Sequence, residues 1–286
     1  MSDFVLIKNS DSNKVEYDFI RLRNATEDEI IWYNELSNKL REYEENFNRF
    51  IRVDKSYQDL VSAILNDDIL SNYEEDVKYC SANFLYSFRE CIDHWETYIK
   101  RKYGESSSYF KKCKMLTSNS YDKYDEYKIT YWLRNYQHVY DAVHFVDSMI
   151  DCKRPYAHRD TLLKETKIPV KTKIAIENQN ENIDLFPMFE LAKNELETIH
   201  KKLIFYPVSV EFENEIEEAL NFRYSLSDEE GVIILAELLD EYGNIIDVEN
   251  DSLNNNRKLT SISIKKMPWE ICHLIYKNRG TDYKNL

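Results

Sequence analysis

Apolar residues recur every third or fourth position along most of the chain, the period that gathers them on one face of an α-helix. Ile30, Tyr33, Leu36, Leu40, Tyr43 and Phe47 hold this spacing to about Ile51. Thr26 with Glu29 three residues later forms a capping-box pattern at the start. Leu60, Val61, Ile64 and Leu65 mark a shorter helix opening at Ser56. Val77, Cys80, Phe84, Phe88, Cys91, Trp95 and Ile99 then define a helix over about 74–103, a rod of roughly 40 Å that Gly104 terminates. Residues 105–120, rich in Ser, Thr and Asn, read as a connector with one helical turn at Tyr109 to Cys113. A second long helix is predicted over about 121–151, folded back antiparallel to the first. Its apolar side carries Ile129, Trp132, Leu133, Tyr136, Val139, Tyr140 and Val143.

Outside this central region the pattern changes. Phe4 to Ile7 and Val15 to Leu22, separated by polar residues 9–13, read as an N-terminal hairpin. Ile168 to Val170 and Lys173 to Ile176 alternate weakly, as a strand would. Leu185, Met188, Phe189, Ala192, Leu196, Ile199 and Leu203 return to helical spacing over 184–205, and Pro207 ends that helix. A helix over about 209–222 follows. Two strands, 231–235 and 245–248, then flank a turn at Glu241 to Asn244. A strand over 260–265 and a short helix from Pro268 to Ile275 close the chain. The fold class is therefore mainly α, a helical bundle with two long antiparallel helices plus a small α+β C-terminal appendage. The expected division is a hairpin in 1–24, a helical domain in 25–206 and an α+β region in 207–286.

Composition agrees with helices: 4 Gly and 5 Pro in 286 residues leave few turn-formers. No run of 18 or more apolar residues is present and the N-terminus lacks a basic segment followed by an apolar one, so neither a membrane span nor a signal peptide is expected. Five widely spaced cysteines without a CxxC pair read as free thiols of a cytoplasmic protein. The net charge of −14 argues against a general nucleic-acid binder, because phosphate neutralisation supplies most non-specific affinity. Any RNA site on this chain has to be local. Phosphate-loop, dinucleotide and nucleophile-elbow motifs are absent, and the six His and five Cys never fall at zinc spacing. No cofactor and no metal site is expected.

Candidate chemistry concentrates in Tyr131-Trp132-Leu133-Arg134-Asn135-Tyr136-Gln137-His138. On a continuous helix Arg134 and His138 share a face, with Asn135 beside them and Tyr131 and Tyr127 one and two turns earlier. An Arg grips phosphate in a planar fork and a His exchanges protons near neutral pH. The same spacing is common on solvated helix faces. Lys100, Arg101, Lys102, Lys111, Lys112 and Lys114 admit two readings as well: a basic helix end complementing the dipole, or a rim guiding phosphate toward the motif. His94 and Glu96 lie on the earlier rod, within possible reach of the Arg134 face.

Arg-Asn followed shortly by His, late in a helical bundle, resembles the signature of the HEPN superfamily of bacterial defence, toxin and CRISPR-associated ribonucleases. Leu85 to Arg89, Asp93 to Thr97 and Lys100 to Gly104 resemble the helix preceding the motif in one branch of bacterial HEPN-like proteins. The likeness is strongest over 75–150. It implies a metal-independent endoribonuclease of a phage-defence (abortive-infection) or toxin–antitoxin system, acting as a homodimer with one composite cleft. In that reading Arg134, Asn135 and His138 are catalytic, and Tyr131, Lys100, Arg101 and Lys102 hold RNA. The superfamily usually has a longer interval between Arg and His than the three residues found here; either a local shift in the helix compensates or the site is degenerate. The alternative is a non-catalytic HEPN-like binding or sensor protein that uses the same face for dimerisation or for docking a phage or antitoxin protein.

Overall fold

A computed structural model describes residues 4–9, 19–65, 73–134, 144–145, 154–165, 167–205, 207, 212–226, 232–239 and 261–266. In chain order these form β1 (Phe4–Asn9), β2 (Phe19–Asn24), α1 (Glu27–Leu65), α2 (Tyr73–Tyr103), α3 (Ser108–Lys123) and α4 (Asp125–Leu133). There follow β3 (His144–Phe145), β4 (Pro155–His158), α5 (Arg159–Leu162), α6 (Val170–Glu177), β5 (Asn182–Asp184) and α7 (Phe186–His200). A π-helical turn (Lys201–Phe205), α8 (Glu213–Leu226), β6 (Val232–Leu239) and β7 (Ser261–Lys266) complete the order. The chain is mainly helical. No helix among the described residues is long and apolar enough to cross a membrane.

Two units emerge, one of Met1–Glu45 with Pro207–Leu286 and one of Asn46–Tyr206. The first contains an antiparallel sheet in the order β2-β1-β6-β7. The expected N-terminal hairpin is present, with β1 and β2 paired and a register shift between Leu6 and Ile7. It is not a separate element, however: β1 also pairs along its length with β6, from Phe4 opposite Glu237 to Asn9 opposite Val232. The N-terminal hairpin and the C-terminal region are thus one unit, joined by backbone hydrogen bonds between opposite ends of the chain. The strand expected at 260–265 is β7, paired with β6. The expected strand over 245–248 and helix over 268–275 lie outside the described residues. In the same unit α8 packs on the first half of α1 through Trp32 and Phe222, whose ring centroids are 5.1 Å apart edge to face.

Helix α1 begins as its capping box requires. The Glu29 carboxylate accepts from the Thr26 amide at 2.8 Å and the Thr26 hydroxyl from the Glu29 amide at 3.3 Å. The second helix expected at Ser56 does not exist as such, because α1 runs unbroken for 39 residues. No Gly or Pro interrupts it, and the Ser56 hydroxyl donates to the Val53 carbonyl at 2.9 Å. A residue that otherwise competes with helical backbone is here satisfied inside the helix.

In the Asn46–Tyr206 unit α2 supplies the largest share of the core. Val77, Phe84, Leu85, Phe88, Cys91, Ile92, Trp95 and Ile99 are all buried. Gly104 ends α2 at φ +86°, a conformation that favours a residue without Cβ. The Ser-rich stretch after it is a cap and not an extended connector: the Ser107 hydroxyl accepts from the Phe110 amide at 3.1 Å and opens α3. α3 folds back on α2 as the second arm of a helical hairpin. Its Thr117 hydroxyl bonds the Cys113 carbonyl at 3.2 Å and its Ser120 hydroxyl the Glu195 carboxylate at 2.8 Å. Residues read as loop-formers are therefore accommodated in helix by specific acceptors.

The second long helix is also corrected. Tyr124 adopts an extended conformation (φ −119°, ψ 124°) between α3 and α4. α4 is nine residues long, and Arg134 is its C-cap. His144 and Phe145, expected in the same helix, pair instead with Tyr156 and Pro155 as a strand. The expected pair of long antiparallel rods is replaced by a hairpin, α2–α3, with a short helix α4 set into the core. Tyr127, Lys128, Ile129, Thr130, Trp132 and Leu133 of α4 are all buried. The strand expected over 168–176 is helix α6, which buries Thr172, Ala175 and Ile176 while Val170 and Ile174 face solvent. That burial follows a three-to-four spacing; the weak alternation was coincidental.

Candidate functional site

Arg134 stands where α4 ends. It is half-buried, its Nε has no hydrogen-bond partner among the described residues, and its guanidinium carbon lies 5.7 Å from the centroid of the Tyr86 ring on α2. Asn135 and His138 lie outside the described residues. Tyr127, expected on the chemical face, belongs to the core: its ring meets Phe88 edge to face at 5.4 Å, and burial raises its phenol pKa.

Tyr131 is half-buried one turn before Arg134 and is held by a residue that sequence reasoning passed over. The Arg89 guanidinium sits 3.7 Å from the Tyr131 ring centroid while its Nε donates to Asp93 at 3.0 Å. A cation over an aromatic face is attracted by the ring quadrupole, so α2 fixes the position of Tyr131 on α4. The available signal was the Arg89–Asp93 spacing of four, which puts both on one helix face. Tyr131 also meets Tyr121 of α3 edge to face, with centroids 5.7 Å apart and planes at 78°.

These two tyrosines belong to the lining of an open pocket of about 370 Å³ built from α2, α3, α4 and α6. Two ion pairs cross its walls. Lys114 reaches Glu96 at 2.6 Å, with the Thr117 hydroxyl on the other carboxylate oxygen at 3.4 Å. Lys171 reaches Asp122 at 2.7 Å; that hydrogen bond and charge raise the Lys171 pKa. Below them the Tyr121 hydroxyl and the Thr172 hydroxyl share a 2.7 Å hydrogen bond. The pocket thus brings cations, carboxylates and tyrosine side chains together.

The remaining candidates are not gathered there. Lys100, Arg101 and Lys102 form the exposed C-terminal turn of α2. Lys100 pairs with Glu105 at 2.8 Å, which holds that carboxyl below its ordinary pKa, and Lys102 donates to the Tyr98 hydroxyl at 3.2 Å. Their turn is about 20 Å along α2 from Tyr86, which contacts Arg134, at 1.5 Å of rise per residue. They complement the helix dipole and form no rim beside Arg134. His94 stacks along Tyr98 at 6.5 Å, and only its neighbour Glu96 reaches the pocket. Cys113 is buried, and burial followed by the nearby Glu96 charge pushes its thiol to about 12, so it is no nucleophile near neutral pH.

His200 is a second unusual side chain. It closes α7 fully inside an aromatic cage, stacked on Phe50 at 4.6 Å and Trp95 at 5.5 Å, with Phe47 edge-on at 5.2 Å. Burial is the main cause that lowers its pKa from 6.5 to about 3; Glu197 acts in the raising direction and Lys201 in the lowering one. A histidine whose folded pKa is depressed stays neutral in the folded protein while the unfolded chain takes up a proton. Its contribution is complete above pH 6.5 and is lost as pH falls toward 3, at roughly 1.4 kcal/mol per unit. His200→Phe should therefore flatten the acid limb of stability relative to wild type, as read by urea midpoints between pH 4 and 7 (about three units of titration). An unchanged slope would mean the imidazole is solvated.

Comparison of the chain with protein-family models, with curated proteins and with solved structures returns no significant match.

Proposed function

We propose that the chain is a HEPN-type, metal-independent endoribonuclease of a bacterial phage-defence or toxin–antitoxin system, working in the cytoplasm as a homodimer. The observation that carries this reading is Arg134 itself: a half-buried guanidinium whose Nε has no partner among the described residues, one turn from the ordered aromatic Tyr131, inside an Arg-Asn-x-x-His sequence. An unpartnered buried donor is costly unless something fills it, and a phosphate oxygen is the acceptor a guanidinium fits best.

The chemistry follows from RNA. Its 2′-hydroxyl attacks the adjacent phosphorus when its proton is removed and the departing 5′-oxygen is protonated. In this reading His138 moves those protons, Arg134 neutralises charge growing on the phosphoryl oxygens, and Asn135 orients His138 or the phosphate. One copy supplies too few groups for the whole reaction, so two copies related by a two-fold axis complete one cleft. Light scattering on the full chain should give about twice the 34.4 kDa protomer mass at micromolar concentration. A monomer would remove the composite cleft.

The second reading, a non-catalytic binding or sensor protein, is favoured by the net charge of −14 and by the short interval between Arg134 and His138. The deciding experiment is cleavage of a mixed RNA substrate in EDTA, with product ends identified. A 2′,3′-cyclic phosphate supports the ribonuclease; intact RNA, together with capture of a phage or antitoxin protein that His138→Ala abolishes, supports the binding protein.

A further inference from the structure

The geometry points to a nucleotide-unit subsite in the pocket between α2, α3, α4 and α6, in which Tyr121 and Tyr131 take the base and Lys114 and Lys171 the phosphate. This inference rests on the ribonuclease reading for its role but not for its binding chemistry. The pocket volume, about 370 Å³, lies within the range of sites that take small organic ligands. Its composition narrows the class. Glu96 and Asp122 repel a bare inorganic anion, and their lysine partners repel a metal cation. A hydrocarbon would have to dry two ion pairs, which is expensive. A nucleotide answers every group at once. Its phosphate accepts from ammonium, its ribose hydroxyls or exocyclic amine donate to carboxylate, and its base presents a flat face.

The ion pairs do not block such a ligand. Lys114 is half exposed and Lys171 more so, and surface pairs of this kind are worth about 0–1 kcal/mol. An ammonium has three N–H groups, so each lysine keeps its carboxylate and still donates to phosphate. The two rings meet edge to face, so a base laid on one face has the edge of the other ring beside it. Arg89 covers one face of Tyr131 and fixes the ring, which leaves its other face and Tyr121 for a base and lowers the ordering cost of stacking. Tyr131 is about 5 Å along the helix axis from Arg134. A base held there belongs to a nucleotide flanking the phosphate that Arg134 would grip. A single nucleotide also suits an acidic chain, since it brings little of the repulsion that a long polyanion meets.

The test is titration calorimetry on the full chain with the four nucleoside monophosphates, with nucleosides and with inorganic phosphate. At least one monophosphate should saturate the protein at millimolar or lower concentration, about tenfold tighter than its nucleoside or phosphate alone. Lys171→Gln, at an exposed position, should weaken the monophosphate by about tenfold and leave the nucleoside unchanged. Tyr121→Leu should weaken both. A short oligoribonucleotide binding tighter than the monophosphate identifies RNA as the source; equal affinity identifies a free nucleotide. Absence of saturation by any monophosphate, or indifference to both substitutions, overturns the subsite. Binding without RNA cleavage keeps the subsite and removes the ribonuclease. Cleavage with neither mononucleotide binding nor any effect of Tyr121→Leu removes the subsite and keeps the ribonuclease.

Discussion

His138→Ala should reduce RNA cleavage by about two orders of magnitude or more while leaving RNA affinity nearly unchanged, because a positioned general acid or base contributes about 10²–10⁴-fold to rate. Arg134→Lys should behave differently. Lysine keeps the charge but loses the planar fork, and its compact ammonium cannot reproduce the guanidinium beside Tyr86. Binding and rate should both fall, although the substitution looks conservative. The pair of variants therefore separates a proton-transfer group from a phosphate clamp by the KM-against-kcat split. Activity insensitive to both substitutions, or cleavage requiring a divalent ion, would sink the mechanism.

The helical character of the chain was legible because burial leaves a mark at every third or fourth residue. Leu185, Met188, Phe189, Ala192, Leu196, Ile199 and Leu203, read from spacing alone, are all buried. The capping box at Thr26 and the stop at Gly104 were legible because each depends on one residue type at one backbone conformation. What failed depended on partners distant in sequence. Ser120 looks like a loop residue until Glu195, 75 positions away, accepts its hydroxyl. Pairing of β1 with β6 joins residues more than 220 positions apart, and no local pattern announces it. Weak alternation at 168–176 misled because Thr172, Ala175 and Ile176 also satisfy a helical period, and packing decided between the two.

The candidate site was legible only in outline. A continuous helix through Arg134 was inferred from apolar spacing that continues past Leu133, yet the described helix ends there and a strand occupies His144 and Phe145. Tyr131 was singled out from sequence and a basic rim containing Lys114 was set near its helix, but the three cations Arg89, Lys114 and Lys171 were not brought together. They come from three different helices, and their convergence follows from the hairpin turn at Gly104 and the extended residue Tyr124, which set the directions of α3 and α4. Lys114 stood out with Lys100 to Lys102 in one basic stretch, whereas nothing in the sequence ties Lys171 to that stretch.

Trp95→Ala should be the most damaging single core substitution in the Asn46–Tyr206 unit. Trp95 is among the largest fully buried side chains, stacks on His200 at 5.5 Å and donates its indole N–H toward the Asn46 carbonyl at 3.4 Å. Truncation removes the transfer free energy of the indole and leaves a cavity, together roughly 3–5 kcal/mol, against a total stability of about 5–15 kcal/mol for an ordinary domain. It also opens the cage that keeps His200 neutral, so water entering the cavity should raise the His200 pKa toward its ordinary value. Two effects should then appear together: a urea midpoint far below wild type at pH 7, and a shallower loss of stability on acidification than wild type shows. Trp95→Phe retains an aromatic face for His200 and should keep the steep acid limb while costing less. Val170→Ala serves as the control, because Val170 is 75% exposed and surface changes of this kind fall within about 0.5 kcal/mol. A Trp95→Ala midpoint as high as that of Val170→Ala would show that the aromatic cage is not the core of this unit.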